Sequence, residues 1–544
     1  MSLFDKEERL LLPEWTKSVD SLKSPEIKSF NEEGSSSLND NTDQLYEIFV
    51  LNKNLGSAIE LLNVAFIENR EAEARVAARY IVQGFDLPPQ ILHFAKYILS
   101  GGKPDNGQLE SQKPLISVLR QWLTDNPKDA LGWLDLARAY VSIGKMNSAE
   151  RAITIGVSLL PTHRWVVRVA SRFYVNNGQS DKAHYLLNKH PMLKEDPWLL
   201  SAEIAVSESF NRPLKMVSHA RKIIELQKFN PLHLTELESS IATLELSSGA
   251  LKKAKKLYVS SLRKPNDNSL AQAKWAERNA NISNLVNSEL LFSQQGAFEA
   301  KMWEKYYNYD ISSAIDFGIK WFEDESYSVQ PAIMVTYLLS ILDSYELSLE
   351  YSLKGLNINK HDETLILNKL FSEICLLNNN SLNVNIDSIN EWEGILKNIA
   401  SISDENTAAH ANANLGLLHY RTNRFELGKE YYGIACNIFA KNKNASGIVA
   451  YMNHYRESVL AKVPWSDEVF YEMEQAYTNS PAKKEPALVY YFIKMSLLKA
   501  NPLKWNEIKT VNLDLSYLLP KEDKKERDVT FDFNPDSPKI IISK

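Results

Sequence analysis

Three histidines in the C-terminal part of the chain are the best candidates for metal binding or proton transfer. A neutral imidazole can ligate a metal or carry a proton, and His410, His419 and His454 are close enough in sequence to consider together. His410 and His419 are nine positions apart, which is about 2.5 turns of an α-helix, so their rings point to different sides. We therefore interpret the histidines as structural or surface residues and expect no metal site.

Other catalytic patterns are absent from the sequence. It contains no GxxxxGK[ST] loop, GxGxxG turn, HExxH helix, GxSxG elbow or CxxC pair. The acidic runs ENREAEAR at 68–75 and EDES at 323–326 look like solvated helix ends and faces. Cys375 and Cys436 lie in apolar runs, where a buried neutral thiol is expected. We expect a protein that is not an enzyme, has no catalytic residue and binds no cofactor.

The composition indicates a large helical protein. Its 544 residues exceed the roughly 250–300 that one core supports, and only 19 are glycine, which leaves few positive-φ turns. The formal charge of −6 does not favour nucleic acid, because phosphate binding needs clustered cations. The charged N-terminal stretch and the lack of a run of about 18 apolar residues predict no signal peptide and no membrane insertion. We expect a cytoplasmic location.

An internal repeat determines the fold prediction. Apolar residues recur at spacings of three and four from Leu45 onward, as amphipathic helices require. When 130–163 is aligned with 164–197, matching residues 34 positions apart are Tyr140 and Tyr174, Gly144 and Gly178, and Ala149 and Ala183. A fixed period of this length is typical of stacked helical hairpins.

The repeat resembles the tetratricopeptide repeat (TPR) family, whose unit is a helix–turn–helix. At the family's characteristic positions the chain has Trp133, Leu136, Ala137, Tyr140, Ala149, Ile153, Gly156 and Pro161. A second good copy at 409–442 has Leu415, Gly416 and Ala435 at equivalent positions. Small residues such as Ala137 and Ala149 suit a close crossing of the two helices. The resemblance implies an all-α fold, an α-α superhelix of antiparallel helix pairs.

The strength of the pattern divides the chain into seven segments. These are an irregular N-terminal segment (1–44), helical hairpins (45–125), TPR-like repeats (126–300), degenerate repeats (301–376), an Asn-rich interruption (377–405), C-terminal repeats (406–519) and a tail (520–544). The tail is expected either to be flexible or to dock on a partner or on the array through VTFDF or KIIIS.

The resemblance also implies a groove lined by the first helix of each repeat. The candidate partner-binding residues in that groove are Arg138, Trp165, Arg168, Arg172, Asn176, Tyr420 and Arg421. Guanidinium groups suit an acidic peptide because they bind carboxylates bidentately. Alternatively, the arginines are exposed or pair with Asp135 and nearby glutamates, and Tyr420 only packs between repeats. The Lys and Asn of the family's two-carboxylate clamp are replaced by Leu134 and Arg138, so that activity is not expected.

Four functions stay open after these observations, of which the last is a cryptic enzyme with titratable residues that converge in a deep pocket. The preferred one is a non-enzymatic scaffold or adaptor that binds proteins or peptides as a subunit of a complex. The second is a regulatory or sensor subunit of a separately encoded enzyme. The third, an RNA-binding helical-repeat protein, is disfavoured by the acidic balance and by the lack of a repeating polar code.

Overall fold

A computed structural model describes most of the chain as α-helix. The described residues are 39–67, 70–83, 87, 89–99, 112–226, 228–280, 282, 285–294, 296–377, 386–509, 513 and 515. The predicted N-terminal segment is therefore covered only from residue 39, and the predicted tail lies outside the described residues. Within this part of the chain there is no β-strand.

The helices follow one another with short connections. They are α1 (Asn39–Leu51), α2 (Leu55–Ile67), α3 (Glu71–Gln83), α4 (Pro89–Leu99), α5 (Gln112–Asp125), α6 (Ala130–Ser142), α7 (Met146–Leu159), α8 (Arg164–Asn176), α9 (Ser180–Asn188), α10 (Pro197–Ser209), α11 (Val217–Leu226), α12 (Pro231–Ser247), α13 (Leu251–Ser261), α14 (Asp267–Ala280), α15 (Ser288–Ser293), α16 (Phe298–Tyr307), α17 (Ile311–Asp324), α18 (Gln330–Ile341), α19 (Tyr345–Ile358), α20 (Glu363–Cys375), α21 (Ile386–Ile402), α22 (Glu405–Arg421), α23 (Phe425–Lys441), α24 (Ser446–Leu460), α25 (Ser466–Thr478), α26 (Pro486–Ala500) and α27 (Trp505–Ile508), with a 3₁₀ turn at Pro502–Lys504.

The described residues form two compact units. The first contains those up to Ala300 together with Glu323–Ser328, and the second contains Lys301–Phe322 and those from Val329 onward. In both units each helix packs mainly against its neighbours in sequence, and the pairs α6 with α7, α12 with α13 and α22 with α23 are among the most extensive.

One turn geometry recurs between paired helices. A residue with positive φ follows the first helix, and the next residue's N–H donates to the carbonyl five positions earlier, as in Lys145 to Tyr140 and Gln179 to Tyr174. This hydrogen bond is the six-to-one bond of a Schellman motif. Among the described residues, those with positive φ and this hydrogen bond are Gly144, Gly178, Asn211, Gly249, Tyr309, Asp343, Asn423, Lys443 and Lys462. Of these, Lys443 lies between two pairs, after α23 and before α24. The repeat therefore persists where the sequence has lost its turn glycine.

Small residues let the paired helices approach closely. Ala137 and Ala149 are fully buried in α6 and α7. In the C-terminal copy, a Cβ on Gly416 would lie 2.6 Å from the Tyr432 ring, and a Cβ on Gly428 would lie 2.5 Å from the Tyr420 ring. Two aromatic rings thus occupy the space that the two glycines leave.

Helix α21 lies within 377–405, the segment predicted as an Asn-rich interruption, and its buried Leu396 and Ile399 pack against neighbouring helices. One expectation drawn from the sequence needs correction. The acidic run at 323–326 is not simply a solvated helix end, since Glu325 is only 4% exposed.

In the described residues, no helix has the length and apolar character needed to span a membrane.

Candidate functional site

Two first helices of neighbouring repeats, α6 and α8, carry the predicted arginines. On α8, Arg164, Arg168 and Arg172 are spaced by four residues and therefore follow one face of the helix. Arg138 lies on α6. All four side chains are engaged with other residues of the first compact unit.

Arg138 binds a segment of the chain that is far away in sequence. Its Nε donates to the Ser326 hydroxyl at 2.6 Å, and its Nη2 donates to the carbonyl of Glu323 at 2.7 Å and to that of Asp324 at 3.2 Å. We call Glu323–Ser328, which belongs to the same compact unit as α6 and α8, the acidic segment. Residues 325–329 are non-helical and connect α17 to α18.

Arg172 and Phe173 hold the same segment through side chains. The Arg172 guanidinium forms a buried ion pair with the Glu325 carboxylate. The Phe173 ring packs edge-to-face on the Tyr327 ring, with centroids 5.3 Å apart. Tyr327 is only 3% exposed, and burial raises the pKa of its hydroxyl well above the ordinary range. We call Arg138, Arg172 and Phe173 the segment-binding face.

Arg168 and Trp165 lie on α8 among the neighbouring repeats. Arg168 Nη2 lies 2.6 Å from Glu236 Oε2, and its guanidinium lies 4.8 Å from the centre of the Trp198 ring. Trp165 is buried. Asn176 is half-buried, and its side chain donates to the Arg172 carbonyl at 3.0 Å.

The C-terminal candidates point into the second unit. The Tyr420 hydroxyl lies 3.0 Å from His454 Nε2 and 3.0 Å from the Ser458 hydroxyl, and it accepts from Trp465 Nε1 at 2.9 Å. Arg421 lies 2.6 Å from the Glu457 carboxylate. Both side chains thus connect α22 to α24 and α25 in this structure, and their role in partner binding stays a prediction.

Sequence reasoning missed a buried charged cluster in the second unit. We call it the Arg456 cluster; its members are Asp343, Tyr345, Arg421, Arg456, Glu457, Tyr491 and Lys494. Arg456 is fully buried, and its guanidinium donates to Glu457 at 2.7 Å, to Tyr345 at 2.8 Å and to Tyr491 at 2.9 Å. Lys494 Nζ lies 2.5 Å from Asp343 Oδ2.

Burial and neighbouring charges shift the pKa values of residues in the Arg456 cluster. Burial alone would raise the pKa of Glu457, but Arg421 and Arg456 more than offset it and hold that pKa below its usual range. Burial lowers the pKa of Lys494, and the nearby Asp343 carboxylate opposes this shift. These paired charges join the turn between α18 and α19 to α22, α24 and α26. The sequence offers no short motif that would have revealed them.

The buried histidines and thiols are poorly suited to chemistry near neutral pH. Burial lowers the pKa of His410 to about 3 and that of His454 to about 3, so both rings are neutral. The His454 ring stacks on Tyr432 with centroids 4.8 Å apart. In the described residues, no three His, Cys, Asp or Glu side chains are grouped so that they could hold a metal ion.

The helix pairs and their shared turns define the class of the protein: it is an all-α, TPR-like helical-repeat protein. No protein-family profile matches the chain, and no curated protein matches it. The solved structures that resemble it include a monomeric mutant of IFIT1 with Gppp-AAAA, at 10% identity and a TM-score of 0.28, covering 76% of this chain and 99% of that one.

Two further solved structures show the same weak similarity. Yeast Tom70 is 10% identical with a TM-score of 0.24, covering 87% of this chain and 91% of that one. The TPR domain of P58(IPK) is 12% identical with a TM-score of 0.18, covering 76% and 98%. At these values the functional argument rests on the chain's own residues.

Proposed function

We propose that the protein is a non-enzymatic scaffold or adaptor that binds partner proteins through peptide segments, as a subunit of a complex. The binding surface is the side of α6 and α8 that carries Arg138 and Arg172. We also propose a cytoplasmic location, where Cys375 and Cys436, both free and buried, stay reduced.

The observation that carries the proposal is the mode in which this surface holds the acidic segment. Arg138 binds the two carbonyls at the C-terminal end of α17 and a hydroxyl, so its carbonyl contacts do not depend on the side chains of Glu323 and Asp324. Arg172 adds a carboxylate contact and therefore selectivity for an acidic residue. A surface that reads backbone and carboxylate together is suited to peptide recognition.

Affinity purification from cell extract with quantitative mass spectrometry tests this function. The full chain is compared with a double variant, Arg138→Ala with Arg172→Ala. The control is Arg120→Ala with Arg151→Ala, which removes two exposed arginines from α5 and α7 of the same unit. Circular dichroism of each protein checks that its helical content is retained.

We expect a defined set of proteins with the wild type and the control, and its loss with the Arg138 and Arg172 variant. An unchanged set would place the partner surface elsewhere and contradict the proposed site. Recovery of RNA in place of proteins, with steep salt dependence, would contradict the scaffold function itself.

A further inference from the structure

The acidic segment contacts the segment-binding face in the manner of a bound peptide. Its partner Arg138 is 188 residues away from Ser326 in sequence. Glu325 and Tyr327 are 4% and 3% exposed, whereas Ser326 between them is only half-buried. Glu325 pairs with Arg172 and Tyr327 packs on Phe173, so both side chains face the binding surface.

We propose that the segment-binding face is a docking site for an external peptide with a glutamate two residues before an aromatic residue, and that the acidic segment is an internal ligand which competes for this site. This inference rests on the proposed scaffold function and specifies the chemistry of its partner. The partner is a protein segment, and its binding requires displacement of residues 325–328.

Each part of the face selects one feature of such a peptide. The Arg172 guanidinium, which is buried with Glu325, favours a carboxylate at that position, because an apolar group would remove this counter-charge. The Phe173 ring favours an aromatic side chain in edge-to-face contact. Arg138 adds contacts to the carbonyls of the two residues that precede the glutamate and to the hydroxyl of Ser326, which lies between the two side chains.

The covalent connection explains why an external peptide would bind the wild-type chain weakly. A tethered ligand acts at an effective concentration that is commonly in the millimolar range for short connections. A free peptide with the same contacts must compete against that concentration. Weakening the internal ligand should therefore raise the apparent affinity of the free peptide.

Fluorescence anisotropy with a labelled peptide of sequence FEDESYSV, the chain's own residues 322–329, tests the inference. The open variant, Glu325→Gln with Tyr327→Ala in the full chain, removes the carboxylate and the ring of the internal ligand. We expect it to bind the peptide about tenfold or more tightly than the wild type. Adding Arg172→Ala to the open variant should abolish the gain, and adding Arg151→Ala should leave it unchanged.

A second variant covers the case in which the open variant loses its helical content. Glu325→Gln alone keeps the side-chain shape and the Tyr327 ring, and it should still bind the peptide more tightly than the wild type. A peptide with both key positions replaced, FEDQSASV, should bind none of the proteins measurably.

The inference is overturned if neither folded variant binds the peptide more tightly than the wild type, or if Arg172→Ala does not reduce the binding. In that result the acidic segment is only a structural connection. Partner capture that depends on Arg138 and Arg172 would then still support the scaffold function, so the two proposals can fail separately.

Discussion

At the residue scale, charged side chains that face the inside of each unit are paired with specific partners. Arg172 pairs with Glu325 in the first unit, and Arg456 with Glu457 in the second. Removing one member of such a pair leaves the other buried without its counter-charge, which costs far more than a surface pair is worth.

The first prediction concerns Glu457, which pairs with both Arg421 and Arg456. At neutral pH, Glu457→Gln should lower the unfolding free energy by about 3 kcal/mol, the usual cost of breaking a buried pair. Chemical denaturation followed by circular dichroism measures the change. Glu430→Gln, at an exposed position of α23, is the control and should have little effect. An equal loss in both variants would contradict the role of the pair.

The lowered pKa of Glu457 makes the stability loss in Glu457→Gln depend on pH. A carboxyl whose folded pKa lies below its unfolded value of 4.5 contributes stability that is fully present above the unfolded value. The contribution disappears as the pH falls through the folded pKa. The stability curves of wild type and Glu457→Gln should therefore converge below about pH 4.5, and a constant gap down to acid pH would count against this account.

The second prediction concerns the two thiols. Burial raises the pKa of Cys375 to about 11 and raises that of Cys436 as well, so little reactive thiolate is present at neutral pH. In the native protein, iodoacetamide should modify neither residue at an appreciable rate, and both should react after denaturation. Mass spectrometry of the alkylated peptides measures this, and fast native labelling of either thiol would show that it is accessible.

At the element scale, the helix–turn–helix unit is held by its turn and by its close helix crossing. The turn at Gly144 has φ of 73°, a conformation that disfavours side chains. The equivalent position after α24 is Lys462, with φ of 55°. The positive-φ conformation is therefore less favourable at Lys462, which has a side chain, than at Gly144.

The third prediction compares those two turns. Gly144→Ala should lower the unfolding free energy by about 1 kcal/mol, because alanine is strained at positive φ. Lys462→Gly should leave it unchanged or raise it slightly, since the strain is relieved while unfolded-state freedom increases. Thermal melts measure both, and equal destabilisation by the two substitutions would rule out the turn geometry as the cause.

The fourth prediction compares two glycines on neighbouring helices. Gly416→Ala in α22 would place a Cβ against the Tyr432 ring and should cost about 1–3 kcal/mol through overpacking. Gly433→Ala in α23 meets no atom within 4 Å and should stabilise the helix by about 0.5–1 kcal/mol. Denaturant titration measures the change in the unfolding free energy of each variant. If both changes have the same sign, the crossing of α22 and α23 is not tight.

The helix pairs could be predicted from the sequence where the characteristic residues of the repeat are present. Gly144, Gly178 and the small residues of α6 and α7 indicate the hairpins directly. The sequence could not predict that Glu325 would lie against Arg172, because that contact joins residues far apart in the chain. The positive-φ turn at Asp343 could not be predicted either, because aspartate adopts positive φ less often than glycine. The ion pair between the Asp343 carboxylate and Lys494 also joins residues far apart in the chain.

At the scale of the whole molecule, each unit is a set of TPR-like helix pairs with its own internal network of charges. In the first unit that network includes the segment-binding face and its occupant. In the second it includes the Arg456 cluster, which connects the turn between α18 and α19 to α24 and α26. We propose that the first unit recognises partner segments and that the second is stabilised by its buried charges.

Site-specific photo-crosslinking tests the central claim most directly. In the open variant, Glu325→Gln with Tyr327→Ala, a photoreactive residue is placed at Asn176, half-buried one turn beyond Arg172 on α8, and in a separate protein at exposed Arg151 on α7. We predict that the probe at Asn176 crosslinks to a discrete partner protein, that excess FEDESYSV peptide suppresses the product, and that the probe at Arg151 gives no such product. Crosslinking to nucleic acid alone, or an Asn176 product that the peptide does not suppress, would contradict the claim.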